Sequence, residues 1–483
     1  MKFTVVRKVL GLLLTVFSFT MLPPVVVAFI YQEGSPVPFL IAFAIILCAG
    51  LAIFFPVRRS RHVLRLRDGF LVVVLFWTSL GLAGALPFLL APHPAISATD
   101  AVFESLSGLT TTGATVILGL DDLPKSILFY RQQLQWLGGM GIIVLAVAVL
   151  PMLGIGGMQL YRAEMPGPMK DSKLTPRITE TAKALWYIYL WMTVACALAY
   201  WGAGMTLFDA IGHAFSTVAI GGFSTHDLSM GYFNSPLIEM IAVFFMLLAG
   251  MNFTLHFAVV RRQDLGLYFQ DSEFRFYLLI MGTVTLVVTL ALYYTDTYVT
   301  WDDALTKGLF QAVSIGTTTG FTTAEFYFWP PFLEILLLFA SFIGGCAGST
   351  GGGIKVIRFL LLIKQGMREI DRLIHPNAQL PVRIGGKSID HRVVDAVWGF
   401  FSLYVACFIL MYLMLAATGL DLLTAFSAVA ACINNLGPGL SQVGAHYADL
   451  YDPAKWILCF AMLLGRLEIF TLLVLLSPTF WQR

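Results

Sequence analysis

Charged residues are scarce in this chain: Asp, Glu, Lys and Arg make up 12% of its 483 residues, whereas 58% are hydrophobic. Soluble globular domains carry about 25% charged residues. This composition and a mean hydropathy of +0.81 therefore exclude that class and indicate a protein with many membrane spans. The formal net charge of +2 gives no indication of nucleic-acid binding.

Cysteine is also rare, and none of the six cysteines belongs to a CxxC pair. Neither a disulfide framework nor a zinc site is indicated. A membrane-embedded enzyme acting on lipid is the alternative class, and it needs converging nucleophiles, acids or metal ligands at one depth. No HExxH, GxSG or paired-aspartate motif lies inside an apolar stretch. We therefore predict that the chain is not an enzyme.

Apolar stretches long enough to cross a bilayer, about 20 residues, recur along the whole chain. The first follows Lys2, Arg7 and Lys8 as a signal peptide does, but it is longer than a signal core, and no clear small-residue cleavage site follows it. We expect a retained helix there. The ten candidate spans are 9–31, 36–56, 70–91, 134–156, 184–207, 237–260, 275–295, 332–345 continuing to about 364, 395–417 and 455–477.

Lys and Arg cluster in connections that are each separated from the next by two spans. The positive-inside rule places all of these connections in the cytoplasm, with both termini inside. Two of them, 161–183 and 364–394, are candidate docking surfaces, although a plain hydrophilic connector is an equal alternative for the longer one. The clusters are Lys2–Lys8, Arg58–Arg67, Arg162–Lys183, Arg261–Arg275 and Lys355–Arg392.

The outer connections share a shorter apolar segment that ends in a polar glycine turn. Each segment opens with an aspartate, a natural N-cap, at Asp100, Asp209, Asp303 and Asp421. Aligned on their glycines, three copies carry a serine six residues earlier, whereas the fourth has Ala431. The segments are DAVFESLSGLTTTGAT (100–115), DAIGHAFSTVAIGGFST (209–225), DALTKGLFQAVSIGTTTGFTT (303–323) and DLLTAFSAVAACINNLGPGL (421–440).

The repeating unit is a span, a short re-entrant helix, a polar glycine strand and a second span. Four such units after two N-terminal helices predict an all-α polytopic membrane protein, in pseudo-fourfold arrangement around one ion pore. The predicted boundaries are 1–57 for the two N-terminal helices, 68–160 for repeat 1, 183–260 for repeat 2, 274–364 for repeat 3 with a broken second helix, and 393–477 for repeat 4.

The glycine strands have the chemistry of a cation site. Non-helical backbone at membrane depth is tolerated only when it is buried in protein or lines a water-filled cavity. A helix that enters from outside points its partially negative C-terminal end inward. Glycine lets the following strand turn its carbonyls to one side, and rings of carbonyls replace an ion's water shell. Threonine hydroxyls can either add ligands or brace the strands.

The strands TTTGAT, AIGGFST, TTTGFTT and NNLGPG, with GSTGGGIK and LGRLEIF, resemble TrkH-type subunits of bacterial Trk potassium uptake systems, in the TrkH/KtrB/HKT superfamily. The resemblance covers the whole chain. It implies potassium uptake across the bacterial inner membrane through a selectivity filter, and Gly113 favours potassium over sodium. The implied ion-binding residues are Thr111, Thr112, Gly113, Ile220, Gly221, Gly222, Thr318, Thr319, Gly320, Asn435, Leu436 and Gly437.

The resemblance also implies partners. It predicts a homodimer in membrane lipid that rests on a cytoplasmic ring of TrkA-type subunits, which bind the regulating nucleotide, so K+ is the only ligand expected for this chain. Because sequence alone does not separate a channel from a carrier, a K+ carrier coupled to Na+ or H+ stays the alternative.

A glycine-rich run, FIGGCAGSTGGGIK (342–355), interrupts the second span of repeat 3. Glycine costs about 1 kcal/mol per helical position relative to alanine, so a loop is predicted there, with tight helix packing on small residues as the alternative. Arg466 in the last span needs water or a partner. The resemblance supports a gate formed by Gly344, Gly345, Ala347, Gly348, Ser349, Thr350, Gly351, Gly352, Gly353, Lys355 and Arg466.

Overall fold

The computed structural model describes residues 3–33, 36–59, 66–144 and 178–482, and nearly all of its regular structure is helical. The prediction of an all-α polytopic membrane protein is confirmed. The second half of the predicted span 134–156, most of the basic cluster Arg162–Lys183 and the centre of Arg58–Arg67 lie outside the described residues. The chain opens with helices Phe3–Ser18, Leu22–Ile30 and Val37–Phe54.

Four short helices precede the four glycine strands and are named pore helices 1 to 4. They are Ala98–Leu109, Leu207–Val218, Trp301–Gly316 and Leu422–Ile433. The helices that precede them are Leu66–Gly84 with Leu86–Leu90, Ile178–Gly202, Ser272–Tyr294 and His391–Ala416. The helices that follow them are Lys125–Val144, Pro236–Ala249 with Phe253–Arg262 and Gly266–Gln270, Pro331–Ile343 with Val356–Ile374, and Asp452–Arg466 with Phe470–Leu476 and Pro478–Trp481.

Three of the four pore helices are capped differently from the predicted pattern. Asp421 is the N-cap of pore helix 4 and accepts a hydrogen bond from the backbone N–H of Thr424 at 3.0 Å. In the other three copies the N-cap is Ser97, Thr206 or Thr300. The predicted N-caps Asp100, Asp209 and Asp303 instead lie three residues after these caps, and their carboxylates accept from the cap hydroxyls. The prediction was wrong for these three copies because a serine or threonine lies three residues before each aspartate. Its hydroxyl oxygen accepts from the backbone N–H of that aspartate and so caps the helix.

Breaks in the second span occur in more repeats than the sequence predicted. Besides the break at 344–355, the span of repeat 2 bends by 91° between Ala249 and Phe253, and the last span bends by 116° between Arg466 and Phe470. The predicted continuous spans 237–260 and 455–477 are therefore each broken. At the first bend Asn252 caps the next helix, and at the second Glu468 and Ile469 adopt positive φ angles of 53° and 58°.

Six helices in the described part of the chain are long and apolar enough to cross a membrane, and the two bent pairs raise the number to eight. The pore helices pack inside this shell. Ala101, Ala210, Ala304 and Ala425 near their first turns are all fully buried. A small antiparallel hairpin pairs Arg383–Ile384 with Lys387–Ser388 and lies far from the pore helices in sequence.

Candidate ion pathway

Each pore helix runs into a short extended segment in which left-handed backbone recurs at alternate residues. These segments are called filter strands 1 to 4 and comprise residues 110–115, 219–225, 317–323 and 434–439. Gly113, Gly222, Gly320 and Gly437 have φ angles between 78° and 94°. The residues two positions earlier, Thr111, Ile220, Thr318 and Asn435, also have positive φ, between 53° and 69°. Alternation of left-handed residues with their neighbours turns successive carbonyls toward one side. Such backbone is strained for a β-branched residue such as Ile220.

The four glycines form a closed ring. A Cβ atom added to Gly113 would lie 2.1 Å from the carbonyl oxygen of Gly221, and one added to Gly222 would lie 2.1 Å from that of Thr319. Gly320 approaches the Leu436 carbonyl in the same way, at 2.1 Å, and Gly437 approaches the Thr112 carbonyl at 2.7 Å. The order therefore runs from repeat 1 to repeat 4 and returns to repeat 1, so only glycine fits.

The ring opens on one side into a cavity of about 380 Å³, which all four ring glycines line. We call this cavity the vestibule. The glycines are thus joined to one aqueous space instead of being buried separately. The middle residues of the strands, Thr112, Gly221, Thr319 and Leu436, bring their carbonyl oxygens to the glycine of a neighbouring strand, as described above.

The turn from each pore helix to its filter strand is held by a backbone hydrogen bond. This explains why the fourth copy can have Ala431 where the others have serine. The backbone N–H groups of Thr112, Gly221, Thr319 and Leu436 donate to the carbonyls of Ser107, Ser216, Ser314 and Ala431 at 2.7–2.8 Å. Because the carbonyl is the acceptor in every copy, serine and alanine serve equally. Among the three serines, the hydroxyl of Ser314 donates to the carbonyl of Phe321 at 2.7 Å.

Threonine hydroxyls brace the strands. Thr112 pairs with Thr110, and Thr319 pairs with Thr317, both at 2.8 Å. The fourth strand has asparagine in place of threonine. There the side chain of Asn435 donates to the Thr112 hydroxyl at 2.9 Å and to the carbonyl of Met462 at 3.0 Å. This amide therefore links filter strand 4 to filter strand 1 by a hydrogen bond.

A buried ion pair that sequence reasoning missed lies behind strands 1 and 2. Arg131 donates to Glu104 at 2.8 Å, and their side chains are 1% and 0% exposed. The Glu104 carboxylate also accepts from the backbone N–H of Val116 at 2.9 Å. Arg131 reaches across to the carbonyl of Ser224 at 3.1 Å. The ion pair thus binds the backbone at Val116, just after filter strand 1, and at Ser224, near the end of filter strand 2. The predicted span 134–156 begins three residues after Arg131, whereas the helix begins at Lys125, so the arginine lies within the helix and was the available signal.

The glycine-rich segment, residues 344–355, lies against the opposite side of the ring from the vestibule. The N–H of Gly352 donates to the Thr318 hydroxyl at 2.7 Å, and that of Gly353 donates to the carbonyl of Asn434 at 3.1 Å. The Thr350 hydroxyl donates to the carbonyl of Val218, at the end of pore helix 2, at 3.0 Å. A Cβ added to Gly352 would lie 1.8 Å from the Asn434 carbonyl. The segment therefore touches the inner ends of three of the four pore units.

The predicted gate residues lie along this segment. Gly344, Gly348 and Gly353 have positive φ angles of 71–75°, and Lys355 has one of 84°. The Lys355 ammonium donates to the carbonyl of Gly351. Gly344 also packs on Gly353 and Gly352, which folds the segment back on itself. The remaining predicted residues, Gly345, Ala347, Ser349, Thr350 and Gly351, lie between these points and are buried or partly buried.

Arg466 holds the glycine-rich segment from the fourth repeat. Its guanidinium donates to the carbonyl of Thr350 at 3.2 Å and to the carbonyl of Gly138, in repeat 1, at 2.8 Å. It also lies over the ring of Trp77, 5.2 Å from the centroid. The nearby Glu468 carboxylate accepts from Arg358 at 2.6 Å.

A histidine in the vestibule joins two repeats. His226 contacts Asp121 of the repeat 1 connection, lies 3.5 Å from the Asp209 carboxylate and stacks on Tyr232 with 3.4 Å between the ring centroids. Burial lowers the pKa of His226, but the neighbouring carboxylates of Asp209 and Asp121 outweigh burial and raise the pKa above its usual value. The charged imidazolium is therefore the favoured form in this contact.

The raised pKa of His226 predicts a pH-dependent stability. The contribution is fully present below the unfolded-state value of about 6.5, and it is lost as the pH rises through the higher folded-state value. Because Asp121 is partly exposed, the expected change in the free energy of unfolding is at most about 1 kcal/mol. Melting temperatures of the wild type and of His226→Gln, measured in detergent from pH 5.5 to 9, should converge at high pH. Parallel curves at all pH values would contradict this prediction.

The four helix–strand units, the ring of carbonyls and the arginine beside it define a membrane cation transport protein with re-entrant pore segments. Residues 37–483 match the family model for TrkH, described as a cation transport protein. The chain belongs to the TrkH family, as the resemblance predicted.

Similar proteins support this assignment over the full length. The Trk system potassium uptake protein TrkH of Vibrio parahaemolyticus is 61% identical, and that of Escherichia coli K12 is 54% identical, with 100% of each chain covered in both comparisons. The crystal structure of the potassium transporter TrkH from Vibrio parahaemolyticus has a TM-score of 0.92 at 59% identity, again with 100% of both chains covered.

Proposed function

We propose that this chain takes up potassium through the ring formed by the four filter strands. The observation that carries the proposal is the closed ring of Gly113, Gly222, Gly320 and Gly437 around one vestibule. An ion that sheds its water there finds carbonyl oxygens from every repeat. The names of the relatives, potassium uptake proteins, agree with this function. The proposed ligands are the predicted filter residues of all four strands.

The proposed setting is the bacterial inner membrane, with both termini in the cytoplasm and the vestibule facing outward. Movement of one positive charge inward across 100 mV releases about 2.3 kcal/mol, so the membrane potential can drive uptake. The proposed assembly is a homodimer that rests on cytoplasmic TrkA-type subunits. The segment 364–394 is the proposed docking surface within the described residues, and 161–183 lies mostly outside them.

The test of the function is Rb+ flux into proteoliposomes that contain the purified chain, at a fixed membrane potential. Flux that persists without any Na+ or H+ gradient, and that K+ blocks by competition, is expected. Flux that requires a Na+ or H+ gradient would establish the coupled carrier instead. Absence of selectivity for K+ and Rb+ over Na+ would overturn the filter proposal.

We further propose that the glycine-rich segment and Arg466 form the gate. The segment lies across the end of the ring, and it is held by hydrogen bonds that can be broken without unfolding a helix. Arg466 places its charge on the same face, where it repels an incoming cation and holds the Thr350 carbonyl. Glycines at 344, 348 and 353 permit the dihedral changes that opening requires.

Deletion of residues 349–351 is expected to increase Rb+ flux at least about tenfold, which corresponds to a barrier lower by about 1.4 kcal/mol. The deletion removes the Thr350 contacts to Val218 and Arg466 and shortens the segment. Deletion of Gly385, in the exposed hairpin turn, is the control. Although Gly385 lies in the proposed docking surface, the proteoliposomes contain only the purified chain, so this deletion should leave flux unchanged. Equal flux in the two deletions would contradict the gate.

A further inference from the structure

Glu273 is a buried acid that contacts the backbone at both ends of the glycine-rich segment. It lies in the first turn of helix Ser272–Tyr294, which opens repeat 3, and it is 7% exposed. One of its carboxylate oxygens accepts two backbone N–H groups, from Ala347 at 2.7 Å and from Ile357 at 3.2 Å. Ala347 lies near the start of the glycine-rich segment, and Ile357 lies just after its end. A single oxygen therefore ties both ends of the segment to one place.

Gly250 and Phe253, which precede Glu273 in the chain, also bind the glycine-rich segment. The N–H of Cys346 donates to the carbonyl of Gly250 at 2.8 Å, and the N–H of Phe253 donates to the carbonyl of Gly348 at 3.0 Å. Both partners lie at the 91° bend in repeat 2. The stretch 250–273, which runs from the bend in repeat 2 to the first turn of repeat 3 and is called here the connector, thus makes three hydrogen bonds to the segment and one to Ile357 just after it.

We infer that Glu273 is the positioning residue that keeps the glycine-rich segment across the ion pathway. This inference rests on the proposed gate. The N–H groups of Ala347 and Ile357 belong to a loop and to the first turn of a helix, where no intrahelical acceptor is available to them. Without the Glu273 side chain, the N–H groups of Ala347 and Ile357 lose their acceptor together. The free energy of the closed position of the segment then rises relative to that of the open position.

Glu273 and Arg466 bind different parts of the glycine-rich segment. Arg466 holds the middle of the segment at Thr350 from repeats 4 and 1. Glu273 holds its two ends from the connector that leads into repeat 3. A displacement of residues 250–273 would therefore move the ends of the segment directly.

The test compares two substitutions in the full-length chain. Glu273→Ala removes the acceptor and is expected to raise Rb+ flux in proteoliposomes about tenfold, because it leaves the buried N–H groups of Ala347 and Ile357 without a partner in the closed position. Glu273→Gln keeps an acceptor oxygen but removes the charge, and it should retain most of the closure. If Glu273 acted only by attracting cations, flux would fall in both variants, and the inference would be overturned.

Labelling of Cys346 gives a readout that a loss of stability does not reproduce. Cys346 is 1% exposed, so a charged methanethiosulfonate reagent should modify it slowly in the wild type and in Glu273→Gln, and several-fold faster in Glu273→Ala. Cys432, in pore helix 4, is fully buried and serves as the internal control. Modification of both cysteines, quantified by peptide mass spectrometry, would indicate general unfolding and would refute a specific positioning role.

Glu239→Ala is the matched control for the loss of a buried carboxylate. Glu239 is 1% exposed and pairs with Lys307 at 2.6 Å, away from the glycine-rich segment. It should lower the melting temperature without raising flux. If deletion of residues 349–351 raises flux and Glu273→Ala does not, the inference about Glu273 fails and the gate stands. If neither change raises flux, the proposed gate fails as well.

Discussion

A single methyl group at Gly320 is expected to reduce Rb+ flux at least about 100-fold. The Cβ of alanine would lie 2.1 Å from the Leu436 carbonyl, which must move away from the pathway or force filter strand 3 to rotate. If the ring binds the dehydrated ion as proposed, either change removes one of its ligands. A loss of about 2.7 kcal/mol, within the range of one hydrogen bond to a charged group, corresponds to a 100-fold slower passage. Gly320→Ala in proteoliposomes measures this directly.

Gly119→Ala is the matched control. Gly119 also has a positive φ, 68°, but nothing lies within 4 Å of its added Cβ. Both variants therefore bear the backbone penalty of alanine in a left-handed conformation, about 1–2 kcal/mol. Only Gly320→Ala also brings its Cβ against a carbonyl oxygen. Gly119→Ala should transport Rb+ at close to the wild-type rate. Equal losses in both variants would mean that backbone strain, and not the ring, explains the defect.

Truncation of Arg131 is expected to destabilise the protein by about 3–5 kcal/mol, because it leaves the Glu104 carboxylate buried without its cation. It also removes the tie to the Ser224 carbonyl, so Rb+ flux should fall together with stability. Thermal unfolding in detergent and flux in proteoliposomes test the two consequences of Arg131→Ala separately.

Two further variants isolate the cause of that loss. The double variant Glu104→Gln/Arg131→Met leaves no unpaired buried charge and keeps an acceptor for the N–H of Val116, so it should recover most of the stability. Arg372→Ala breaks the exposed pair with Glu369 and should cost less than about 1 kcal/mol. A double variant that is as unstable as Arg131→Ala would show that the arginine acts by packing and not by its charge.

The fold could be predicted largely because its signals are repeated. The four aligned segments lie between spans, and the structure brings their glycines into one ring. Periodic apolar stretches also predicted the helices, since backbone groups in lipid must be satisfied within the segment. The break at 344–355 was predictable because glycines accumulate there, and glycine weakens a helix locally.

The features that sequence reasoning missed depend on tertiary contacts. The bends after Ala249 and Arg466 interrupt apolar sequence with only a few non-helical residues. They are stabilised by partners elsewhere in the chain, such as Gly348, whose carbonyl accepts from Phe253. The pairing of Arg131 with Glu104 likewise joins residues 27 positions apart. Periodicity describes which face of a helix is apolar, but it does not tell which distant acceptor a freed N–H will find.

Because one polypeptide supplies all four strands, a point mutation changes one quarter of the ring and leaves three quarters intact. In an assembly of identical subunits, a single codon change would alter every quarter together. The ring can therefore diverge one quadrant at a time, and the fourth quadrant, with Asn435 and Leu436 where the first has Thr111 and Thr112, already differs from the others. Graded libraries with one, two, three or four altered quadrants can be encoded in one gene.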